Sequence, residues 1–195
     1  MRKIYFATGN THKLIEARGI LKLEGYEVEL VDCPYPELQA DELETISACG
    51  AQWCANHLDK AVMVDDSGIF IEVLNGFPGP YSRYVEDHLG NRKILKLMEA
   101  EQNRTAVFKT VVGFCEPGNE PHTFAGEVKG TIAFEEQGEH GFGYDPIFLY
   151  KGCTFGELEE EEKNPVSHRG KAMRKFARWL GECNPSHKLS SQQLR

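Results

Sequence analysis

Lys3-Ile4-Tyr5-Phe6-Ala7-Thr8-Gly9-Asn10-Thr11-His12-Lys13 opens the chain as an apolar run, a Gly-Asn turn and the start of a helical pattern. Residues Lys3 to Thr8 read as a short strand and Gly9-Asn10 as the turn. Thr11 to about Leu23 reads as a helix with Leu14, Ala17 and Leu21 on one stripe. A strand handed directly to a helix sets an α/β reading for the rest of the chain. The turn also has a chemical meaning. Small and hydroxyl-bearing residues at a strand-to-helix junction aim backbone N–H groups at one spot, and Lys13 stands in the first helical turn, so the segment outlines an anion site. It lacks the G-x-x-x-x-G-K-S/T frame of a P-loop and the G-x-G-x-x-G of a dinucleotide site. Taken alone, it reads as well as a helix cap beside a solvated lysine.

Downstream, a second strand is expected near Glu27 to Val31, followed by an irregular Cys33-Pro34-Tyr35-Pro36 connection. A helix from about Glu42 to His57 has Leu43, Ile46, Gly50, Trp53 and His57 at helical spacing. Ala61 to Val64 reads as a buried strand that stops at Asp65-Asp66-Ser67-Gly68, with a further strand from Ile69 to Val73. The turn-rich Asn75 to Pro80 precedes a helix ending near Ala100. Thr105 to Cys115 and Thr123 to Phe134 read as an antiparallel section joined at Pro117-Gly118-Asn119. After a glycine-rich loop, Gly138 to Asp145, come a short strand from Pro146 to Tyr150 and a last helix from about Val166 to Leu180. Residues 1–183 are read as one domain, and the polar stretch from Asn184 to Arg195 as a frayed tail.

The 195 residues are 41% hydrophobic and 27% charged, an ordinary globular composition. Acidic residues number 30 against 22 basic ones, a net charge of −8, which disfavours a nucleic-acid polymer as partner but leaves room for a single nucleotide. No apolar run approaches the roughly 20 residues of a membrane span, and the start turns polar by Thr8, so the expected location is the cytoplasm with no membrane partner. The six cysteines form no C-x-x-C pair and no zinc-ligand spacing, and they read as reduced, mostly buried thiols.

Two further places carry chemistry. Asp65 and Asp66 follow a buried strand, where adjacent carboxylates repel each other and lose solvation unless a cation or hydrogen-bond donors compensate. A divalent metal is the economical explanation, and Mg²⁺ favours one or two carboxylates combined with substrate phosphates. An acidic turn capping Gly68 is the alternative. Glu37, in the irregular segment, is a further candidate ligand. Near the last helix, Lys163, Ser167, His168, Arg169 and Lys171 place cations where the helix dipole favours anions. The acidic run Glu157 to Glu162 is one possible counterweight.

These segments together resemble one family, the inosine triphosphate pyrophosphatases, also called Ham1-like, which act on non-canonical purine nucleoside triphosphates. The resemblance rests on Thr8-Gly9-Asn10-x-x-Lys13, Pro36-Glu37-Leu38-Gln39, Asp65-Asp66-Ser67-Gly68 and Gly76 to Ser82. Phe142-Gly143-Tyr144-Asp145-Pro146 and Glu162-Lys163 with Ser167-His168-Arg169 complete it, in the family's order from Lys3 to about Leu180. It implies an elongated α/β fold with a mixed, twisted sheet flanked by helices, and two lobes around a central nucleotide cleft. It also implies a homodimer, and Mg²⁺-dependent hydrolysis of ITP, dITP and XTP to the monophosphate and pyrophosphate. By motif, Thr8, Asn10 and Lys13 would hold the triphosphate, Lys13 also assisting catalysis, and Ser67 would support the phosphate end. Glu37 and Asp65 would hold the metal, and Asp66 would bind metal and activate water. Phe142 would stack on the purine. Tyr144, Asp145, Lys163, Ser167, His168 and Arg169 would line the base and sugar pocket, with selectivity supplied by the polar groups because stacking accepts any base.

One departure stands out. Many members carry a phosphate-directed lysine in the helix after the metal glutamate, whereas this chain has Gly50-Ala51-Gln52-Trp53 there, and Gln52 is neutral. No nucleophile and base motif supports a covalent route. Two other readings use the same residues, a triphosphatase releasing the γ-phosphate and a nucleotide sensor without turnover. The three acidic candidates argue against the sensor.

Overall fold

The structure is a computed structural model that describes residues 2–36 and 38–183. Glu37 and the expected tail from Asn184 to Arg195 therefore lie outside the described residues. Strand β1 (Arg2–Ala7) runs into helix α1 (Thr11–Leu23) and returns as β2 (Tyr26–Val31), which pairs parallel with β1 from Arg2 opposite Tyr26 to Ala7 opposite Val31. The junction forms as expected. The Asn10 side chain accepts from the backbone N–H groups of His12 at 2.9 Å and Lys13 at 3.2 Å, satisfying donors that the first helical turn leaves open.

Helix α2 (Leu43–Leu58), strand β3 (Val62–Ile71), the short β4 (Pro78–Gly79) and helix α3 (Ser82–Leu97) follow. Next come β5 (Thr105–Cys115), β6 (His122–Ile132), β7 (Phe148–Tyr150), β8 (Cys153–Thr154), α4 (Glu160–Val166) and α5 (His168–Cys183). One sheet runs β2-β1-β3-β5-β6-β7-β8, with β4 on the flank of β3. Pairing is parallel from β2 through β1 to β3 and antiparallel beyond.

The expected break at Asp65-Asp66 does not occur. Strand β3 continues through it, in register with β5 from Val62 opposite Cys115 to Ile71 opposite Ala106. Acidic residues are poor strand formers, but a long antiparallel partner satisfies the backbone on both sides of the pair and outweighs propensity. Three further differences are local. Helix α4 precedes α5, α3 bends at Gly90, whose φ is 67°, and Pro78–Gly79 forms a strand pair with Ile69 and Phe70.

Helices cover both faces of the sheet. On one face α1 and α5 bury Ile4, Phe6, Leu14, Met63, Phe114 and Phe176. On the other, α2 packs Ala51, Cys54 and Ala55 over Ala7, Val62 and Val64. Close approach decides two glycines. A Cβ at Gly113 would lie 2.2 Å from the carbonyl oxygen of Ser47 on α2, and one at Gly126 would lie 2.2 Å from that of His168 on α5. A second apolar cluster gathers Ile69, Ile71, Phe108, Ile147, Phe148 and Phe155 toward the other end of the sheet. Along β3 the side chains facing α5 run Met63, Asp65, Ser67, Ile69, because a pleated strand alternates faces. A polar band at Asp65, Ser67 and Thr110 thus separates two apolar cores, and it marks the site.

Candidate active site

Into that band α5 inserts Arg169, its second residue. Nε donates to Asp65 Oδ2 at 2.8 Å, Nη2 donates to Ser67 Oγ at 3.0 Å, and Nη1 donates to Glu16 Oε2. Glu16 belongs to α1, where Lys13 one turn earlier reaches Asp65 Oδ1 and the Asp65 backbone carbonyl, both at 3.0 Å. Lys163 of α4 donates at 2.6 Å to Glu16 Oε1 and at 2.6 Å to Asp145 Oδ2. The result is one chain of alternating charge, Asp145, Lys163, Glu16, Arg169, Asp65, Lys13. All but Lys13 are buried.

Burial alone would raise the carboxyls of Asp65 and Glu16. Lys13 and Arg169 around the first, and Arg169 and Lys163 around the second, outweigh it and hold both below the usual carboxylate range. The reciprocal pull of the carboxylates overcomes burial to raise Lys163 and Arg169, so both stay charged. Asp145 goes the other way, since burial there exceeds the pull of Lys163. His168 is buried and surrounded by Arg169, Lys163 and Lys13, and it is pushed well below its ordinary value, so the ring is neutral.

Around this chain the structure gathers most of the expected site. Thr8 Oγ1 accepts from the N–H of Asn10 at 3.2 Å, and Ser67 Oγ lies 2.7 Å from Thr110 Oγ1. The N–H of Phe142 donates to Asp145 Oδ2 at 2.8 Å, which fixes the glycine-rich loop over the ions. Lys163 Nζ is 5.3 Å and Arg169 Cζ 5.4 Å from the Phe142 ring centre. The outer partner of Phe142 is the exposed His12, stacked at 5.2 Å and 20°. Ser167 accepts from the N–H of Gly170 at 3.0 Å, and the His168 ring stacks on Phe108 at 3.9 Å and 10°. His168 Nδ1 is buried without a hydrogen-bond partner among the described residues.

Other expected residues are placed differently. Tyr144 is buried in the second apolar cluster with its hydroxyl donating to the Ser82 carbonyl at 2.8 Å, a core position rather than a cleft wall. Asp65 and Ser67 share Arg169, so Asp66 between them projects from the opposite face of β3, the face that α2 covers. Its Oδ1 accepts from the N–H of Ser67 at 2.9 Å. Gln52 lies on α2, and a Cβ at Gly50 would meet the Tyr35 ring at 2.8 Å, so an aromatic ring fills the space beside that turn.

Residues 4–179 match the Ham1 family. This chain belongs to it. A dITP/XTP pyrophosphatase of Methanosarcina acetivorans is 63% identical over 180 residues, covering 92% of this chain and 98% of that protein. A dITP/XTP pyrophosphatase of Methanopyrus kandleri is 59% identical over 179 residues, covering 91% and 95%. The solved structure of a HAM1 protein from Coxiella burnetii superposes with a TM-score of 0.82 at 31% identity, covering 93% of this chain and 100% of that one.

Within this Ham1-family site, sequence reasoning missed Glu16 and His12. Glu16 follows Lys13 by three positions on the same helical face and recurs with the buried Ala17 and Ile20, so a carboxylate on an inward stripe was the available signal. His12 carried none, because its partner lies in a distant loop. For a divalent cation the donor chemistry divides the acidic candidates. Asp65 is already neutralised by two cations, and although its Oδ1 lies near Lys13, no aligned hydrogen bond from the described residues reaches that atom. It does not fit as a ligand. Asp66, a half-buried carboxylate on the other face, fits a hard cation.

Proposed function

We propose that this chain hydrolyses the bond between the α- and β-phosphates of ITP, dITP and XTP, releasing the nucleoside monophosphate and pyrophosphate. Family membership and full-length relatives named dITP/XTP pyrophosphatase support the activity. The observation that carries the reading is the convergence of the Thr8-Gly9-Asn10 turn, Ser67 and the basic start of α5 on one ionic chain roofed by Phe142.

The residues divide the work. Lys13, with Thr8 and Asn10 at the start of α1, binds the phosphates, where helix dipole and charge act together. The Phe142 ring holds the purine by stacking and Asp145 fixes the loop that carries it. Asp66 orients the attacking water and accepts its proton, the kind of contribution a placed carboxylate makes to phosphoryl chemistry. Mg²⁺ is the cofactor of the proposal, held by Asp66 and, through its motif alone, Glu37. It would supply neutralisation of phosphate charge. Asp65 keeps Lys13 and Arg169 in place rather than binding metal. His168, neutral and with Nδ1 unsatisfied, is the group that reads the purine 6-oxygen.

A homodimer belongs to the same reading, supported by the exposed Phe77, Tyr81 and Tyr84 around the start of α3. No helix among the described residues is long and apolar enough to cross a membrane. Cytoplasmic location completes the proposal. Incubation with ITP and Mg²⁺, followed by separation of products, tests the activity. IMP with pyrophosphate is expected, and IDP with orthophosphate as first products would replace this reading by γ-phosphate release.

A further inference from the structure

Away from the nucleotide site, the structure holds an open sheet edge under a stripe of cations. Strand β6 pairs with β5 along its whole length but with β7 only at Thr131 and Ile132, so its outer edge from His122 to Gly130 meets no strand among the described residues. The parity of that edge is fixed at its end. The N–H of Ile132 bonds toward β5, to Arg104 O at 2.8 Å, and the N–H of Ala133 bonds away from it, to Ile147 O at 2.8 Å. Alternation then turns both backbone groups of Thr123, Ala125, Glu127 and Lys129 outward.

Lysines of α5 sit on this edge. Lys171 Nζ donates to Glu127 O at 2.9 Å and Lys175 Nζ to Ala125 O at 2.6 Å. With Arg174 and Arg178 they form an i, i+3, i+4, i+7 face on the outer side of the helix, opposite the inward Ala172, Met173, Phe176 and Ala177. No ion pair reaches these four cations among the described residues. Their hydrogen bonds go to neutral carbonyls, and the nearby Glu127 carboxylate faces Lys109 at 3.7 Å. In a chain of net charge −8 this is an uncompensated positive strip. A groove of about 550 Å³ runs between it and the edge.

We infer that this groove takes an extended acidic peptide segment of another protein, which adds as a strand to β6 and lays its carboxylates along α5. Both halves of the feature are needed for that conclusion. An open edge offers alternating donors and acceptors, which a backbone satisfies and a phosphate group does not. The lysines select the side chains. An incoming N–H must take the carbonyls of Ala125 and Glu127 and release both ammonium groups, which an apolar segment would leave without partners and an acidic one would pair. Acids at three alternate positions span about 14 Å, comparable with the roughly 10 Å from Lys171 to Arg178. A second copy does not fit as the occupant, because antiparallel pairing of β6 with itself would bring two α5 cation faces together on one side of the sheet.

The test uses the full chain and a fluorescein-labelled peptide of about seven residues alternating glutamate with valine or threonine, followed by anisotropy at low salt. A companion peptide has the same sequence with N-methylated backbone amides on the edge-facing positions. Binding of the first is expected, with about tenfold weaker binding of the second and of the first peptide to Lys171→Glu/Lys175→Glu. Slowed amide exchange at Ala125 and Glu127 should accompany binding, and ITP hydrolysis by Arg178→Glu should be unchanged. Arg178→Glu, at an exposed position, gives the same comparison should the double variant fold poorly. Failure to bind, or equal binding of the N-methylated peptide together with displacement by inorganic pyrophosphate, would overturn the inference and leave an unspecific anion groove.

Discussion

Arg169 and Asp65 meet through Nε and Oδ2 at 2.8 Å, with no more than 2% of either side chain exposed, and this contact joins α5 to the centre of the sheet. Because Lys13 and Glu16 continue the same chain, groups proposed to bind substrate are also groups that hold α1, α4 and α5 together. Function and stability are therefore coupled here, and variants must be chosen to separate them.

Replacing Asp65 by Asn leaves Lys13 without its carboxylate partner and Arg169 with Glu16 as its remaining buried counter-charge. Breaking such a pair from one side costs about 3–5 kcal/mol, a fall of roughly 10 °C in Tm for a chain of this size. Calorimetry on Asp65→Asn and Glu16→Gln should show losses of this order. A change within about 1 °C would mean that the ionic chain contributes little.

Acid should act through the same groups. Asp65 and Glu16 are held below the usual carboxylate range, so their contribution is complete above the unfolded-state values and is lost as pH falls through the folded ones. Asp145, raised by burial, works in the opposite sense and partly offsets them. Denaturant midpoints should fall on acidification below about pH 5, and fall less steeply in Asp65→Asn. A parallel decline in the two proteins would assign the acid sensitivity elsewhere.

Much of this arrangement is legible in the sequence. Local patterns place α1, β2, α2 and β5 within a residue or two, because each has a clear period and a clear stop, such as Asn10 at the head of α1. The acids of β3 mislead for a physical reason. Their penalty as strand residues is local and visible, whereas Arg169 and the β5 ladder that offset it are distant in sequence. Motif resemblance collects Lys13, Asp65, Lys163 and Arg169, but only the fold shows that Asp65 joins Lys13 to Arg169 and that Glu16 joins Arg169 to Lys163. Tyr144 is grouped with Phe142 by adjacency, and a short step along an irregular loop turns a side chain from the cleft into the core.

Base selectivity should follow His168. Its Nδ1 is a buried polar atom with no partner among the described residues and its ring lies on Phe108, so His168→Phe keeps the stack and removes the polar group. The ratio of kcat/KM for ITP over ATP should fall by about 5- to 150-fold, with Tm equal or higher. An unchanged ratio would return base reading to other groups. Arg169→Ala is less informative, since it leaves Glu16 and Asp65 unpaired in the interior.

His12 covers the Phe142 face that a purine would use. Removing it in His12→Ala should lower KM for ITP by a few-fold with kcat unchanged. A raised KM would show instead that the imidazole contacts substrate.

Asp66→Asn removes charge at nearly constant volume on the face away from Arg169. Turnover of ITP should drop by about 10²- to 10⁴-fold while the thermal midpoint stays within about 2 °C of wild type. Near-normal turnover would remove Asp66 from the reaction.

In the proposed reaction water attacks the α-phosphorus, and hydrolysis of ITP in water enriched in heavy oxygen reads the attacked atom directly. Mass spectrometry of the products should find the heavy atom in IMP and none in pyrophosphate. Label in pyrophosphate with unlabelled IMP would mean attack at the β-phosphorus, and the assignment of Asp66 to a water that attacks the α-phosphorus would be contradicted.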